Sequence, residues 1–179
     1  LIQPSFPCYI TRMARPVTIT TLSFTASGAK TVADSVSQAI QWIDLAACDK
    51  PDLMVLPEAF AAGNEQCARS KELFCASAEP IDGQTVTRLA QRAAEHGCYI
   101  AAPVVLQRGA KRTNSIVLLD RGGEIAGIYD KCFPPVPELE QGPGVTPGDG
   151  PVTVDTDFGK VGMLICFDLN FRDVGEGLY

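Results

Sequence analysis

The order of apolar patterns along the chain is the feature that most constrains its fold. A β-branched run at 17–24 is followed by helical spacing of apolar residues from Val32 onward, and then by a wholly apolar run at 53–57. A second helical pattern covers 84–96, and a third strand-like run covers 99–106. Strands that alternate with helices favour parallel β-α-β units. The first part of the chain is therefore predicted to fold as βαβαβ.

The remaining patterns indicate hairpins instead of crossovers. Strand-like runs at 115–119 and 124–129 flank a Gly-Gly turn, and runs at 152–155 and 160–165 flank a second turn. Such short connections join antiparallel strands. The predicted fold class is therefore α/β with a mixed sheet. A looser helix is also predicted at 65–76.

One long connection is rich in helix and strand breakers. Residues 133–151 contain six prolines and four glycines, so we predict a loop without regular structure. A loop of that length inside a compact domain usually has a function. The predicted domain organisation is an irregular N-terminal arm at 1–15 and one domain at 16–179.

Composition excludes several classes of function. The 179 residues carry a net charge of −6 and no basic stripe, which disfavours nucleic acid as a partner. No apolar stretch approaches the roughly 20 residues needed to cross a bilayer, and the first residues do not resemble a signal peptide. The seven cysteines lack CxxC spacing, which disfavours a disulfide scaffold or a zinc site. Reduced thiols in a cytoplasmic protein are the prediction.

Three reactive side chains each follow a strand-like run directly: Glu58, Lys131 and Cys166. Taken singly, they have structural readings as a loop cap, a surface charge and a core thiol. Catalytic groups in α/β sheets gather beyond the carboxyl ends of strands. A charge after an apolar run is also costly unless it emerges into a polar cleft. Their shared placement therefore favours a single site for covalent acyl chemistry.

A thiol nucleophile needs a base, and histidine is a poor candidate here. The one histidine, His96, lies at a predicted helix C-terminus, where it is expected to act as a cap. Glu58 is therefore the candidate that takes the proton from Cys166. Lys131 would stabilise the thiolate and the oxyanion of a tetrahedral intermediate. The backbone N–H of Phe167 is the second candidate oxyanion donor.

Three segments, at 51–58, 127–131 and 159–172, resemble the ordered signatures of the nitrilase or carbon–nitrogen hydrolase superfamily. The resemblance implies part of a four-layer αββα sandwich with a Glu-Lys-Cys triad of Glu58, Lys131 and Cys166. It implies hydrolysis of non-peptide C–N bonds in small amides, N-carbamoyl compounds or nitriles through a Cys thioester. It also implies that no metal or organic cofactor takes part.

The resemblance implies two further site residues. Family members keep a second glutamate in the loop between the lysine and the cysteine, where this chain has Glu138 and Glu140. The spacing favours Glu140, although both side chains have an alternative reading as solvated loop charges. A basic position after the cysteine often touches substrate in relatives that recognise carboxylates, so Arg172 is a candidate substrate-binding residue.

The chain departs from the family in one respect. Family members continue beyond the nucleophile motif with the second half of the sandwich, so the domain is expected to be incomplete at its C-terminus or completed by another chain. An exposed apolar face then predicts a homo-oligomer. The alternative function is that of a catalytically silent member that acts as a binding or assembly subunit. A thiol-redox role is disfavoured by the absence of CxxC.

Overall fold

The computed structural model describes residues 15–24, 29–62, 74, 76–139 and 144–178. The predicted N-terminal arm lies outside these residues except for Arg15. Most of the helix predicted at 65–76 lies outside them as well.

A five-stranded mixed sheet forms the centre of the fold, as predicted. Its strands lie side by side in chain order: β1 (Ile19–Thr21), β2 (Leu53–Val55), β3 (Tyr99–Arg108), β4 (Lys111–Leu119) and β5 (Ile125–Asp130). The first three strands pair in parallel, and the last three pair antiparallel. β1 is shorter than the predicted run at 17–24, because only three of its residues pair with β2.

Two amphipathic helices connect the parallel strands and cover one face of the sheet: α1 (Val32–Ala46) and α2 (Gln84–His96). Thr31 and Asp34 form a capping box at the start of α1. Gly97 ends α2 in the left-handed conformation, with φ of 61°. The apolar stripes of both helices pack against buried residues of β2, β3 and β4, and this forms the larger part of the core.

The second face of the sheet is covered by a hairpin of β6 (Val152–Thr156) and β7 (Gly159–Met163), which form a separate two-stranded sheet. Apolar side chains of the hairpin pack on a cluster that includes Leu118 and Tyr129. Gly127 of β5 permits this approach, because a Cβ at that position would lie 2.5 Å from Cγ2 of Val154. The sheet therefore has apolar contacts on both faces.

The loop predicted at 133–151 contains more order than expected. A single helical turn, α3 (Val136–Leu139), interrupts it, and Val145 forms a bridge with Arg112 of β4. Proline is compatible with this turn, because the first N–H groups of a helix have no partner within the helix. The prediction of a loop without regular structure is corrected at these positions.

The strand directions bring three points of the chain to one edge of the sheet. β2 and β5 end at this edge, and the antiparallel β4 begins there. After β7 the chain forms a 3-10 helix (Cys166–Asn170) and a short α4 (Arg172–Glu176). None of the helices within the described part of the chain has the length and apolar character needed to span a membrane.

Candidate active site

Lys131 is the centre of a buried charge cluster beyond the end of β5. Its side chain is 1% exposed, and its Nζ donates to Oε1 of Glu58 at 2.8 Å and to Oε1 of Glu138 at 2.7 Å. Burial alone would lower the pKa of the lysine. The hydrogen bonds and charges of Glu138 and Glu58 outweigh burial and raise that pKa above its ordinary value. The ammonium group is therefore charged at neutral pH.

Glu58 lies in the turn that follows β2. The next residue, Ala59, has φ of 59°, so the chain bends sharply away from the sheet there. Oε1 of Glu58 accepts from Nζ of Lys131 and from Nδ2 of Asn114, both at 2.8 Å. Among the described residues, these hydrogen bonds use only Oε1.

Cys166 begins the 3-10 helix in a strained backbone conformation. Its φ of 46° lies in the left-handed region, which a residue with a Cβ adopts only when its surroundings enforce it. The residue as a whole is exposed, although the surrounding protein partly desolvates its thiol. This desolvation raises the pKa of the thiol, and the charge and hydrogen bond of Glu58 raise it further.

The charged neighbours of Cys166 act on the pKa of its thiol in opposite directions. Lys131 lowers the pKa of the Cys166 thiol, as expected, but Glu138 adds to the opposing effect of Glu58. Two carboxylates and one ammonium leave the cluster net negative before the thiol ionises. Cys166 is therefore a neutral thiol beside a carboxylate at neutral pH, and not a preformed thiolate.

Asn114 is a site residue that was not predicted from the sequence. It lies near the start of β4 and is 2% exposed, and its Nδ2 donates to Glu58 and, at 3.2 Å, to Oε2 of Glu138. The predicted strand begins at Ser115, which leaves this amide outside it. No local pattern marks this amide, because its partners lie 56 and 24 residues away in the sequence.

The structure separates the two candidate loop glutamates. Glu138, on α3, contacts Lys131 and Asn114, whereas Glu140 lies outside the described residues. Arg172 is the first residue of α4, and its side chain is 86% exposed and paired with Glu176. No described contact connects Arg172 to the triad.

Phe167 follows Cys166 as the second residue of the 3-10 helix. An N–H in the first turn of a helix has no carbonyl partner within that helix. The ring of Phe167 lies edge-on to the ring of Phe171, with centroids 5.5 Å apart. Phe171 in turn stacks on Phe133, with centroids 3.8 Å apart. Three aromatic rings thus connect the segment after Lys131 with the segment after Cys166.

The remaining candidates for reactive chemistry lie elsewhere. His96 is at the end of α2, where its Nε2 lies 2.8 Å from Oδ1 of Asp44. The four cysteines that the structure describes are all free thiols, and only Cys98 among them is buried. Within the described ranges, no group of three or more potential ligand side chains is arranged to hold a metal ion.

Sequence comparison identifies the family. Residues 23–174 match the model of the carbon-nitrogen hydrolase family. The chain belongs to this family. The match includes every member of the cluster around Lys131, together with Cys166, in this carbon-nitrogen hydrolase.

Individual relatives agree with this membership. The hydrolase chain is 27% identical over 167 residues to N-carbamoylputrescine amidase from Arabidopsis thaliana, covering 92% of this chain and 55% of that protein. Its fold is similar to that of a carbon-nitrogen hydrolase from Helicobacter pylori G27, with a TM-score of 0.72 and 21% identity over 89% of this chain and 55% of that one. The chain spans about half the length of the curated relatives it matches.

A third comparison concerns a protein with a modified cysteine. A mutant of the amidase from Nesterenkonia sp. AN1 shows acrylamide added to its active-site cysteine. The TM-score to that structure is 0.67 with 20% identity, and the match covers 89% of this chain and 61% of that one. At this identity the likeness shows a shared fold.

Proposed function

We propose that the protein hydrolyses the C–N bond of small amides or N-carbamoyl compounds, with Cys166 as nucleophile, Glu58 as general base and Lys131 as electrostatic partner. The observation that carries the proposal is the ion pair between the buried Lys131 and Glu58, together with the effect of Glu58 on Cys166, whose thiol pKa it raises. Two relatives support it, because one is named as an N-carbamoylputrescine amidase and another as an amidase with an active-site cysteine.

The first chemical step is attack on the carbonyl carbon. Because the pKa of the Cys166 thiol is raised, the sulfur must lose its proton as it attacks. Oε2 of Glu58 takes this proton while Oε1 remains bound to Lys131. The new S–C bond and the shift of the carbonyl π electrons to oxygen give a tetrahedral oxyanion.

The oxyanion requires donors that are in place before it forms. The ammonium of Lys131 has three N–H donors, two of which are directed at Glu58 and Glu138. We assign the third donor, together with the backbone N–H of Phe167, to the oxyanion. Fixed donors in a desolvated site stabilise such a charge more strongly than water does.

Collapse of the intermediate breaks the C–N bond and leaves a thioester on Cys166. The proton held by Glu58 passes to the leaving nitrogen, which departs as ammonia or an amine. Water then attacks the thioester carbon and gives its proton to Glu58. The C–S bond breaks, the acid leaves, and the thiolate recovers a proton from Glu58.

The substrate class follows from the relatives and from the charges near the site. Amides and N-carbamoyl compounds are preferred over nitriles, which the same nucleophile could also attack. Arg172 is proposed to bind a substrate carboxylate, because its exposed ion pair with Glu176 is weak enough to exchange. We further propose a homo-oligomer, supported by the exposed apolar side chains of Phe167 and Leu169 beside the nucleophile.

The test is hydrolysis of a panel of small amides, N-carbamoyl amines and nitriles, followed by ammonia release and by mass spectrometry of the protein. Cys166→Ala should reduce the rate by roughly a thousandfold or more, and an acyl adduct should accumulate on Cys166 in the unmodified protein. Cys48→Ala is the matched control, because Cys48 is also an exposed free thiol. A Cys166→Ala protein that retains the rate would overturn the proposal. Absence of both hydrolysis and adduct would favour the catalytically silent binding subunit.

A further inference from the structure

Asp168 is a fully buried carboxylate held by hydrogen bonds from three separate parts of the chain. Oη of Tyr129 donates to its Oδ2 at 2.6 Å, and the backbone N–H of Ile165 donates to the same oxygen at 3.1 Å. The backbone N–H of Phe133 donates to Oδ1 at 2.8 Å. Both oxygens of the carboxylate are therefore occupied.

The residues that donate to Asp168 lie close to Lys131 and Cys166 in the sequence. Tyr129 and Phe133 lie two positions before and two positions after Lys131, while Ile165 lies immediately before Cys166. Asp168 itself lies two positions after Cys166. A single carboxylate thus ties the strand that presents the lysine to the turn that presents the nucleophile.

Burial of the Asp168 carboxylate costs free energy unless all of its hydrogen bonds are made. Among the described residues, no arginine, lysine or histidine forms an ion pair with Asp168, so its hydrogen bonds must offset its desolvation. Hydrogen bonds to a charged acceptor are roughly twice as strong as neutral ones. They also oppose the relaxation of Cys166, whose φ of 46° is strained.

We propose that Asp168 and Tyr129 form a positioning pair that fixes the Cys166 sulfur relative to Lys131 and Glu58. Neither side chain touches the substrate. They act by holding the nucleophile turn in register with the end of β5. This inference rests on the proposed function for its kinetic consequence, but not for the geometry it assigns to Cys166.

Tyr129→Phe is the decisive variant, because it removes one oxygen and keeps the ring in the core. Its matched control is Tyr99→Phe, a tyrosine in the same apolar cluster on β3. We expect Tyr129→Phe to lower kcat by about 10-fold with little change in KM, and Asp168→Asn to lower it by about 100-fold. In Asp168→Asn, the amide NH₂ must face one of the N–H or O–H donors. Tyr99→Phe should leave kcat unchanged.

A second readout does not depend on hydrolysis. Alkylation of Cys166 by iodoacetamide is measured against pH and resolved by peptide mass spectrometry. In the unmodified protein, desolvation, Glu58 and Glu138 raise the pKa of the Cys166 thiol and Lys131 opposes them, so alkylation is expected at higher pH than for an ordinary cysteine. Release of the turn in Tyr129→Phe or Asp168→Asn should move this profile down towards that of a free thiol.

The outcomes separate the two ideas. If Tyr129→Phe lowers only the melting temperature and leaves kcat and the alkylation profile unchanged, Asp168 and Tyr129 are merely structural and the inference is wrong. If the unmodified protein hydrolyses nothing but the alkylation profile shifts as expected, the positioning role stands and the proposed function fails. If Asp168→Asn does not fold, Tyr129→Phe decides alone.

Discussion

Asn114 and Lys131 donate to the same carboxylate oxygen, Oε1 of Glu58, each at a donor–acceptor distance of 2.8 Å. The two residues are also joined through the main chain, because the backbone N–H of Lys131 donates to the carbonyl oxygen of Asn114 at 2.8 Å. The amide and the ammonium therefore reach Glu58 from adjacent, hydrogen-bonded positions. Their separation is set by the backbone and not by side-chain rotamers alone.

Replacement of Asn114 by leucine tests this arrangement. The variant keeps the branched heavy-atom skeleton of the side chain but removes the donor that Glu58 and Glu138 share, so the two carboxylates lose a common hydrogen-bond partner. A hydrogen bond to a charged group contributes about 2 kcal/mol, which corresponds to a roughly 30-fold loss of kcat. The measurement is steady-state kinetics on the best substrate of the panel.

Thr113→Val is the control for the Asn114 variant. Thr113 is also buried and polar, but it lies next to Asn114 on the strand and its hydroxyl is hydrogen-bonded to Ser115. Adjacent residues of a strand point to opposite faces, so this change should leave kcat close to that of the unmodified protein. Equal losses in the two variants would contradict a specific role for the Asn114 amide.

The titration of Cys166 should respond with opposite signs to its two charged neighbours. Glu58 raises the pKa of the thiol and Lys131 lowers it. Glu58→Gln should therefore shift the alkylation profile of Cys166 to lower pH, and Lys131→Met should shift it to higher pH. The measurement is the pH of half-maximal alkylation at each cysteine.

Cys48 provides the internal reference in each of these samples, because it is exposed and lies outside the cluster. Its profile should be the same in both variants. Shifts of Cys166 in the same direction for Glu58→Gln and Lys131→Met would show that the effect is loss of local structure and not electrostatic coupling.

Gly148 should be required for the loop at 133–151 to pack against the end of β5. Its N–H donates to the carbonyl oxygen of Lys131 at 2.9 Å, and a Cβ there would lie 2.2 Å from the carbonyl oxygen of Asp130. Gly148→Ala should destabilise the protein by about 1–3 kcal/mol, because backbone must move. Gly175→Ala is the matched control, since a Cβ added at that position meets no heavy atom within 4 Å. Urea unfolding of both variants measures the difference, and equal stabilities would refute the packing argument.

Asp52 should stabilise the fold in a pH-dependent manner. Hydrogen bonds from Arg15, from the backbone N–H of Thr18 and from Arg121 hold the pKa of its carboxyl far below the ordinary value. A carboxyl group whose pKa is lowered by folding stabilises the protein fully at pH values above its pKa in the unfolded chain, which is about 3.9. This stabilisation is lost as the pH falls below that value towards the pKa of the folded state. Asp52→Asn should cost about 2 kcal/mol at pH 7.

The same measurement at acidic pH completes the test of Asp52. The difference between Asp52→Asn and the unmodified protein should shrink steadily as the pH falls below about 4. Asp155→Asn is the control, because Asp155 forms its ion pair with Lys160 at 3.4 Å in full contact with solvent, where such pairs contribute little. A difference for Asp52→Asn that is constant with pH would exclude the ion pairs as its cause.

Local patterns are sufficient to predict the helices that connect the parallel strands. The stripe of apolar residues in α2 is set by the helical repeat, and Gly97 supplies the left-handed residue that ends it. Strand lengths are predicted less well, because pairing depends on a neighbour that is distant in the sequence. β1 is an example, since it extends only as far as its three paired residues in β2.

The sequence also indicates which residues meet at the site, but not how their charges balance. Glu58 and Lys131 follow strands that end at one edge, and that edge is a property of topology. The role of Asn114 depends on partners 56 and 24 residues away, which no local pattern contains. The sign of the Cys166 pKa shift likewise depends on desolvation and on Glu58, which lies 108 residues earlier in the sequence and outweighs the opposing effect of Lys131.

The left-handed backbone at Cys166 has a consequence for how this segment can change. Residues other than glycine carry a conformational penalty in this region, smallest for Asn and Asp, so the strain belongs to the backbone position and not to the thiol. Under the proposed function, most substitutions that remove the Cys166 thiol but keep a Cβ would give up activity without relieving this strain. Glycine would relieve it, which makes this turn a point where stability and reactivity are exchanged directly.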